Sequence, residues 1–176
     1  MCNTMDSNLV FSEDGKVLCE VRDKSIKSIN IPNGVTEIGW EAFGGCASLT
    51  SINIPNSVTV ISGYAFFGCK ALASIDIPNS VKEIGECAFE GTKWLEEKPK
   101  GLVIINNILY SCTDKEIVNI NIPHSVTKIG DFAFQWCDFL KDVTIPNSVT
   151  SIGIRAFDVC KSIESISIPN SVIEVG

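Results

Sequence analysis

Apolar positions recur along this chain in blocks that repeat almost verbatim. In one block they fall at Leu49, Ile52, Ile54, Val58, Ile61, Ala65, Phe66 and Cys69, and "SINIPNSVTVI" from Ser51 returns as "SIDIPNSVKEI" from Ser74. The proline behind each "I-x-I" stands at Pro32, Pro55, Pro78, Pro123, Pro146 and Pro169, in steps of 23, 23, 45, 23 and 23 residues. A fixed period in this range marks a solenoid, in which each unit is one coil whose apolar face is covered only when the next coil stacks on it.

Within a unit the spacing predicts three segments. "L-x-x-I-x-I" alternates, so Ile52 and Ile54 point inward from a short concave-face strand while Ser51 and Asn53 face solvent. The proline ends that strand because it cannot donate to a shared ladder, which places Pro55 at a corner. "N-S-V" turns the chain, and "V-x-x-I-G" predicts a second short extended segment. Gly39, Gly85, Gly130 and Gly153 follow that segment, but Ser62 fills the same column, so glycine there eases a tight bend without being required for a positive φ. "A-F-x-x-C" predicts a single helical or 3-10 turn. It would stack Phe43, Phe66, Phe89, Phe134 and Phe157 as a continuous internal ladder.

The step of 45 contains a second feature that occurs twice. "LVIINNILYSC" from Leu102 parallels "LVFSEDGKVLC" from Leu9, each an apolar strand, a turn and a second strand. Both read as β-hairpins that replace a coil. The organisation expected is one solenoid domain over 1–176: a capping hairpin at 9–27, repeats 1–3 over 28–97, a hairpin insertion at 98–118, and repeats 4–6 over 119–176, the last incomplete. Lys93 to Gly101 is the most loop-like stretch and a candidate hinge.

Composition narrows the partners. A net charge of -7 and a pI near 4.7 argue against nucleic acid and anionic lipid, which need a concentrated basic face. No apolar run reaches the length of a membrane span, and the first 25 residues, with Asp6, Glu13 and Asp14 among them, do not read as a signal peptide. On that reading the chain is cytosolic or already processed. The eight cysteines follow the repeat, as Cys46 to Cys69 and Cys137 to Cys160 show, without zinc-type spacing. They read as buried free thiols, with disulfides between stacked coils as the alternative.

Catalytic chemistry finds no foothold. The single histidine, His124, sits in the Asn column of a corner turn beside Ser125, in a serine column that other repeats fill without a histidine. No nucleophile elbow, phosphate loop or dinucleotide fingerprint occurs. The chain is read as a non-enzyme that takes no cofactor and no metal.

The columns resemble the BspA-like (Treponema pallidum type) leucine-rich repeats, whose unit looks like "L-x-x-I-x-I-P-x-S-V-T-x-I-G-x-x-A-F-x-x-C". The match covers Ser28 to Glu97 and Asn119 to Gly176, with Thr92 in place of the cysteine and His124 in place of the asparagine. The resemblance implies a leucine-rich-repeat solenoid. It also implies a surface-displayed or secreted, adhesin-type protein that binds host extracellular or matrix proteins. An intracellular scaffold and a structural spacer of a longer protein are the rival readings.

Function is then expected on the surface. The outward floor of the concave strands runs through Asn30, Asn53, Asp76, Asn121, Thr144 and Ser167, a flat polar face. Six strands of about four residues give it on the order of 400 Å², half of the roughly 800 Å² per partner in a standard interface. Aromatic anchors are therefore sought in the variable columns: Trp40, Tyr64, Trp94 and Phe132, with Trp136, Phe139 and Arg155 beside them, divided between core and surface. The apolar terminal strand at Ile166 and Ile168 predicts a homodimer through the C-terminal edge.

Overall fold

A computed structural model of the chain describes the backbone of residues 2–6 and residues 8–176 in full. The side chain of Cys2 lies outside the described residues. The chain divides into two compact units, Met1–Lys98 and Pro99–Gly176. Each is built of coils 23 residues apart.

Unit 1 begins with an antiparallel meander, β1 (Cys2–Asp6), β2 (Leu9–Ser12) and β3 (Val17–Val21). β2 and β3 are the hairpin expected from the sequence; β1 was not foreseen. Three coils follow, with strands β4 (Ser28–Asn30), β5 (Glu37–Ile38), β6 (Ser51–Asn53), β7 (Val60–Ile61) and β8 (Glu83–Ile84). The longest sheet does not run along the floor column. It runs along the "E-I-G" column, in the order β1-β2-β3-β5-β7-β8, and the hairpin joins it where β3 pairs in parallel with β5. On the floor β4 pairs only with β6, and Ser74 to Asp76 belong to no strand. A six-stranded floor is thus not what forms. Between Asn53 and Asp76 a polar depression of about 540 Å³ opens instead.

The "A-F-x-x-C" stretch closes differently from the single helical turn expected. Local bonds such as Ala42 N–H to Gly39 C=O and Cys46 N–H to Phe43 C=O alternate with bonds to the next coil. Glu41, Phe43 and Gly45 donate to the carbonyls of Gly63, Ala65 and Phe67. A helix would claim those N–H groups for itself; stacking claims them first, and the segment becomes a chain of turns. Its backbone shows this in left-handed positions that recur with the period. Glu41, Tyr64, Cys87, Phe132 and Arg155 all have φ between 50° and 57°. Four residues further on, Gly45, Gly68 and Gly91 are again left-handed, and Trp136 and Val159 take that conformation in unit 2.

Glycine in the "I-G" column has another cause. None of Gly39, Gly85, Gly130 and Gly153 has a positive φ, as the serine at position 62 implied. Each lies where a Cβ would press on the preceding coil or hairpin: at Gly85 it would stand 2.8 Å from the Cα of Gly63, and at Gly39 2.9 Å from the carbonyl oxygen of Leu18.

The core of unit 1 is a column of fully buried rings. Phe43 and Phe66 lie 5.0 Å apart at 11°, and Phe66 and Phe89 lie 5.5 Å apart at 5°. After Phe89 the cysteine column is filled by Thr92, which is fully buried, and the repeat stops there. The Thr92 hydroxyl donates to Phe89 C=O at 2.7 Å and accepts from Leu95 N–H at 3.2 Å. In that position it caps the short helix α1 (Lys93–Glu96), a helical turn in a stretch expected to be loop. The division between the units falls two residues beyond α1, inside the candidate hinge.

Unit 2 restarts with the inserted hairpin, β9 (Leu102–Ile105) and β10 (Ile108–Cys112). Its coils carry β11 (Asn119–Asn121), β12 (Lys128–Ile129), β13 (Asp142–Thr144), β14 (Ser151–Ile152) and β15 (Glu174–Val175). The sheet order is β15-β14-β12-β10-β9, and β11 pairs with β13 on the floor. Ser165 to Ser167 form no strand. Phe134 and Phe157 stack at 5.1 Å and 5°, so the expected ladder exists as one run of rings within each unit.

Candidate functional site

The floor residues emerge as a polar surface. Asn30, Asn53 and Asp76 in unit 1 and Asn121, Thr144 and Ser167 in unit 2 are all exposed. Each unit has one pair of strands behind its floor residues, so the regular face in each is smaller than six strands would make.

The aromatic candidates divide sharply. Trp94 is half-buried and closes the ring column of unit 1, its ring 5.0 Å from Phe89 and the Lys98 ammonium 4.4 Å above it. Phe132 is half-buried in unit 2. Trp136, Phe139 and Arg155 are exposed, and Trp136 and Phe139 stand apart from any ring contact recorded among the described residues.

Trp40 and Tyr64 meet. Their ring centroids lie 4.9 Å apart at 50°, and Tyr64 in turn meets Phe67 at 5.6 Å and 60°. Trp40 is 56% and Phe67 44% exposed, so this is a ridge of three tilted rings on the surface of unit 1. Phe67 was missed in the sequence because it reads as the second phenylalanine of "AFFGC". On a chain of turns its neighbour Phe66 enters the core and Phe67 is left outside, which is the signal that could have found it.

The repeat builds the ridge from three adjacent coils. Trp40 and Glu41 follow β5 and Gly39; Gly63 and Tyr64 follow β7 and Ser62; Glu86 and Cys87 follow β8 and Gly85. Glu41 N–H donates to Gly63 C=O at 3.2 Å and Tyr64 N–H to Glu86 C=O at 2.9 Å, which sets the spacing of the rows. The left-handed turn at Glu41 and Tyr64 leaves those side chains outside while the Ala-Phe pair that follows is fully buried. Trp40 lies over Gly63, where a Cβ would meet the indole Cζ3 at 2.6 Å and the Glu86 Cγ at 3.3 Å. Gly63 therefore keeps a seat for the indole. The Tyr64 hydroxyl is pushed above its ordinary pKa, first by the adjacent Cys87 thiol, next by burial, and last by the carboxylates of Glu86 and Glu41.

The seven described cysteines carry free thiols; Cys46, Cys69, Cys112 and Cys137 are buried, and Cys19, Cys87 and Cys160 half-buried. Cys69 donates to Phe43 C=O at 3.2 Å and Cys160 to Phe134 C=O at 3.1 Å, the same bond in both units. Burial pushes Cys69 up to about 12. Cys112 is held down to about 7, first by a hydrogen bond from the Cys137 thiol, and that bond pushes Cys137 up. Native-state alkylation with iodoacetamide at pH 8 is expected to reach the half-buried Cys19, Cys87 and Cys160 first and the buried, upshifted Cys69 and Cys137 last, since only on the order of one Cys69 in ten thousand is then a thiolate. Early labelling of Cys69, read by peptide mass spectrometry, would contradict this packing.

His124 and Ser125 are both exposed at their turn. Among the described residues no group of three or more His, Cys, Asp or Glu could hold a metal ion, and no helix is long and apolar enough to cross a membrane. At the end of unit 2, β15 is the outer strand of its sheet, with Ile168, Ile173 and Val175 exposed.

The profile of the BspA type leucine-rich repeat region matches in six copies over residues 21–108 and 103–176. No match is found among curated proteins. Among solved structures, a leucine-rich repeat protein from Eubacterium ventriosum is 24% identical with a TM-score of 0.53, over 95% of this chain and 46% of its own. One from Bacteroides ovatus is 32% identical with a TM-score of 0.49, over 99% of this chain and 47% of its own. The T. pallidum leucine-rich repeat protein is 22% identical with a TM-score of 0.43, over 96% and 82%. The chain spans about half the length of the first two.

Proposed function

The chain belongs to the BspA-type leucine-rich-repeat family, and on that premise we propose that it is a non-catalytic protein-interaction module of the adhesin type, acting at a cell surface or after secretion on extracellular or matrix proteins of a host. The observation that carries the reading is the Trp40–Tyr64–Phe67 ridge. A stacked repeat fold covers its rings, but Trp40 and Phe67 stand outside it, 56% and 44% exposed. Exposed aromatic clusters of this kind supply the few residues that dominate interface energies.

An intracellular scaffold is the second reading. It is favoured by the free thiols, a state that reducing compartments preserve. Both readings make the ridge the anchor and differ in the partner.

Surface plasmon resonance of the full chain over purified, immobilised matrix proteins tests the proposal. Saturable binding in the micromolar range or tighter is expected for at least one, with a loss of about tenfold or more in Trp40→Ala. Absence of binding across the panel at 100 µM overturns the adhesin reading.

A further inference from the structure

The chemistry around the ridge specifies what it takes. The Trp40 indole and the stem of Glu86 converge over Gly63, each within 3.3 Å of the point where a side chain there would begin. The indole itself takes the place where a side chain of residue 63 would begin, which seats the ring beside Glu86. Glu41, exposed, follows Trp40 directly and stands in the Tyr64 column one coil earlier, its N–H bonded to Gly63 C=O at 3.2 Å. The site therefore offers tilted aromatic faces with carboxylates at their margin.

The columns that build the ridge supply no cation. Across the three coils the columns that build the ridge read Trp40, Gly63, Glu86, then Glu41, Tyr64, Cys87, then Gly44, Phe67, Glu90, without a Lys or Arg. Trp94 shows the contrasting case within the same unit, because its ring already carries the Lys98 ammonium at 4.4 Å. A ring face draws a cation by its quadrupole, and a carboxylate beside it fixes a planar guanidinium through paired hydrogen bonds. The chain's charge of -7 also favours encounter with a basic partner.

We propose that the Trp40–Tyr64–Phe67 ridge, bordered by Glu41 and Glu86, is a binding site for basic side chains, arginine above all, presented by an extended segment of the partner protein. The inference rests on the reading of this chain as an interaction module and adds the chemistry of the partner. Arginine is preferred to lysine because its flat fork can stack on Trp40 and meet a carboxylate at once, whereas an ammonium is a point charge.

The test titrates the full chain into three fluorescein-labelled peptides of one length: arginine alternating with glycine and serine, the same peptide with citrulline for arginine, and the same with glutamate. Fluorescence anisotropy at 0.15 M salt is expected to show binding of the arginine peptide alone, at least tenfold tighter than its citrulline twin. Trp40→Ala combined with Phe67→Ala should weaken it about fourfold to twenty-five-fold, the product of two ring contacts worth roughly two- to fivefold each. Glu86→Gln should weaken it about threefold, and Trp40→Phe should retain most of it, with circular dichroism unchanged throughout. Equal binding of the citrulline peptide overturns the inference. So does an arginine affinity indifferent to the ring substitutions, which would signify charge attraction without a site. If the chain still captures a matrix protein in either case, the interaction reading stands and only the basic specificity falls; if it binds neither peptide nor matrix protein, both fall.

Discussion

Phe66→Ala is expected to destabilise unit 1 by about 3–5 kcal/mol, the largest loss of any single truncation in the protein. Phe66 is fully buried between Phe43 and Phe89, so its removal leaves a cavity and cuts both ring contacts of the column. Stacked pairs contribute roughly 0.5–1.5 kcal/mol beyond their buried area. In a repeat fold the effect is amplified, because each coil holds its conformation through its two neighbours and Phe66 stands in the middle one. The adjacent Phe67→Ala is the internal control. Its ring is 44% exposed and outside the column, so a change within about 0.5 kcal/mol is expected. Urea denaturation of the two variants reads the contrast, and similar midpoints would contradict the division of "FF" into core and surface.

The second large effect is Gly85→Ser. Alignment of the repeats suggests it is harmless, since Ser62 fills the same column. The structure requires the opposite. A Cβ at position 85 would stand 2.8 Å from the Gly63 Cα and 2.8 Å from the Ser62 carbonyl carbon, both backbone atoms that cannot swing aside. To admit it, β8 must part from β7 and lose the 2.8 Å bond from Gly85 N–H to Ile61 C=O. A cost of about 3 kcal/mol follows, at the upper end for overpacking. Ser62 itself is accommodated, and its hydroxyl donates to Glu37 at 2.7 Å. Thermal unfolding of Gly85→Ser within a degree of the parent would show that the coils are spaced more loosely than these distances say.

That contrast shows what can be read from this sequence and what cannot. The 23-residue period, the buried Phe column and both hairpins are visible because burial leaves a repeated residue type behind. The left-handed column at Glu41, Tyr64, Cys87, Phe132 and Arg155 is invisible. Those side chains have no chemistry in common, and the conformation comes from hydrogen bonds to the next coil, such as Tyr64 N–H to Glu86 C=O. The same bonding replaced the expected helical turn. Strand lengths on the floor were overread for a related reason: "S-I-D" at position 74 has the pattern of "S-I-N" at 51, but pattern does not report whether two backbones come within bonding distance. Trp40 and Tyr64 could be singled out as variable aromatics. Their contact with each other and with Phe67 depends on which columns adjoin around the coil, which residue type alone does not encode.

On the proposed function the chain meets its partner on the aromatic ridge of unit 1. Hydrogen exchange of the full chain, alone and saturated with the matrix protein it binds most tightly, tests that most directly. Protection centred on residues 38–45 and 60–70, reduced in Trp40→Ala, is the expected result. Protection confined to the floor strands, or to unit 2, with the amides around Trp40 and Phe67 unchanged, would contradict it.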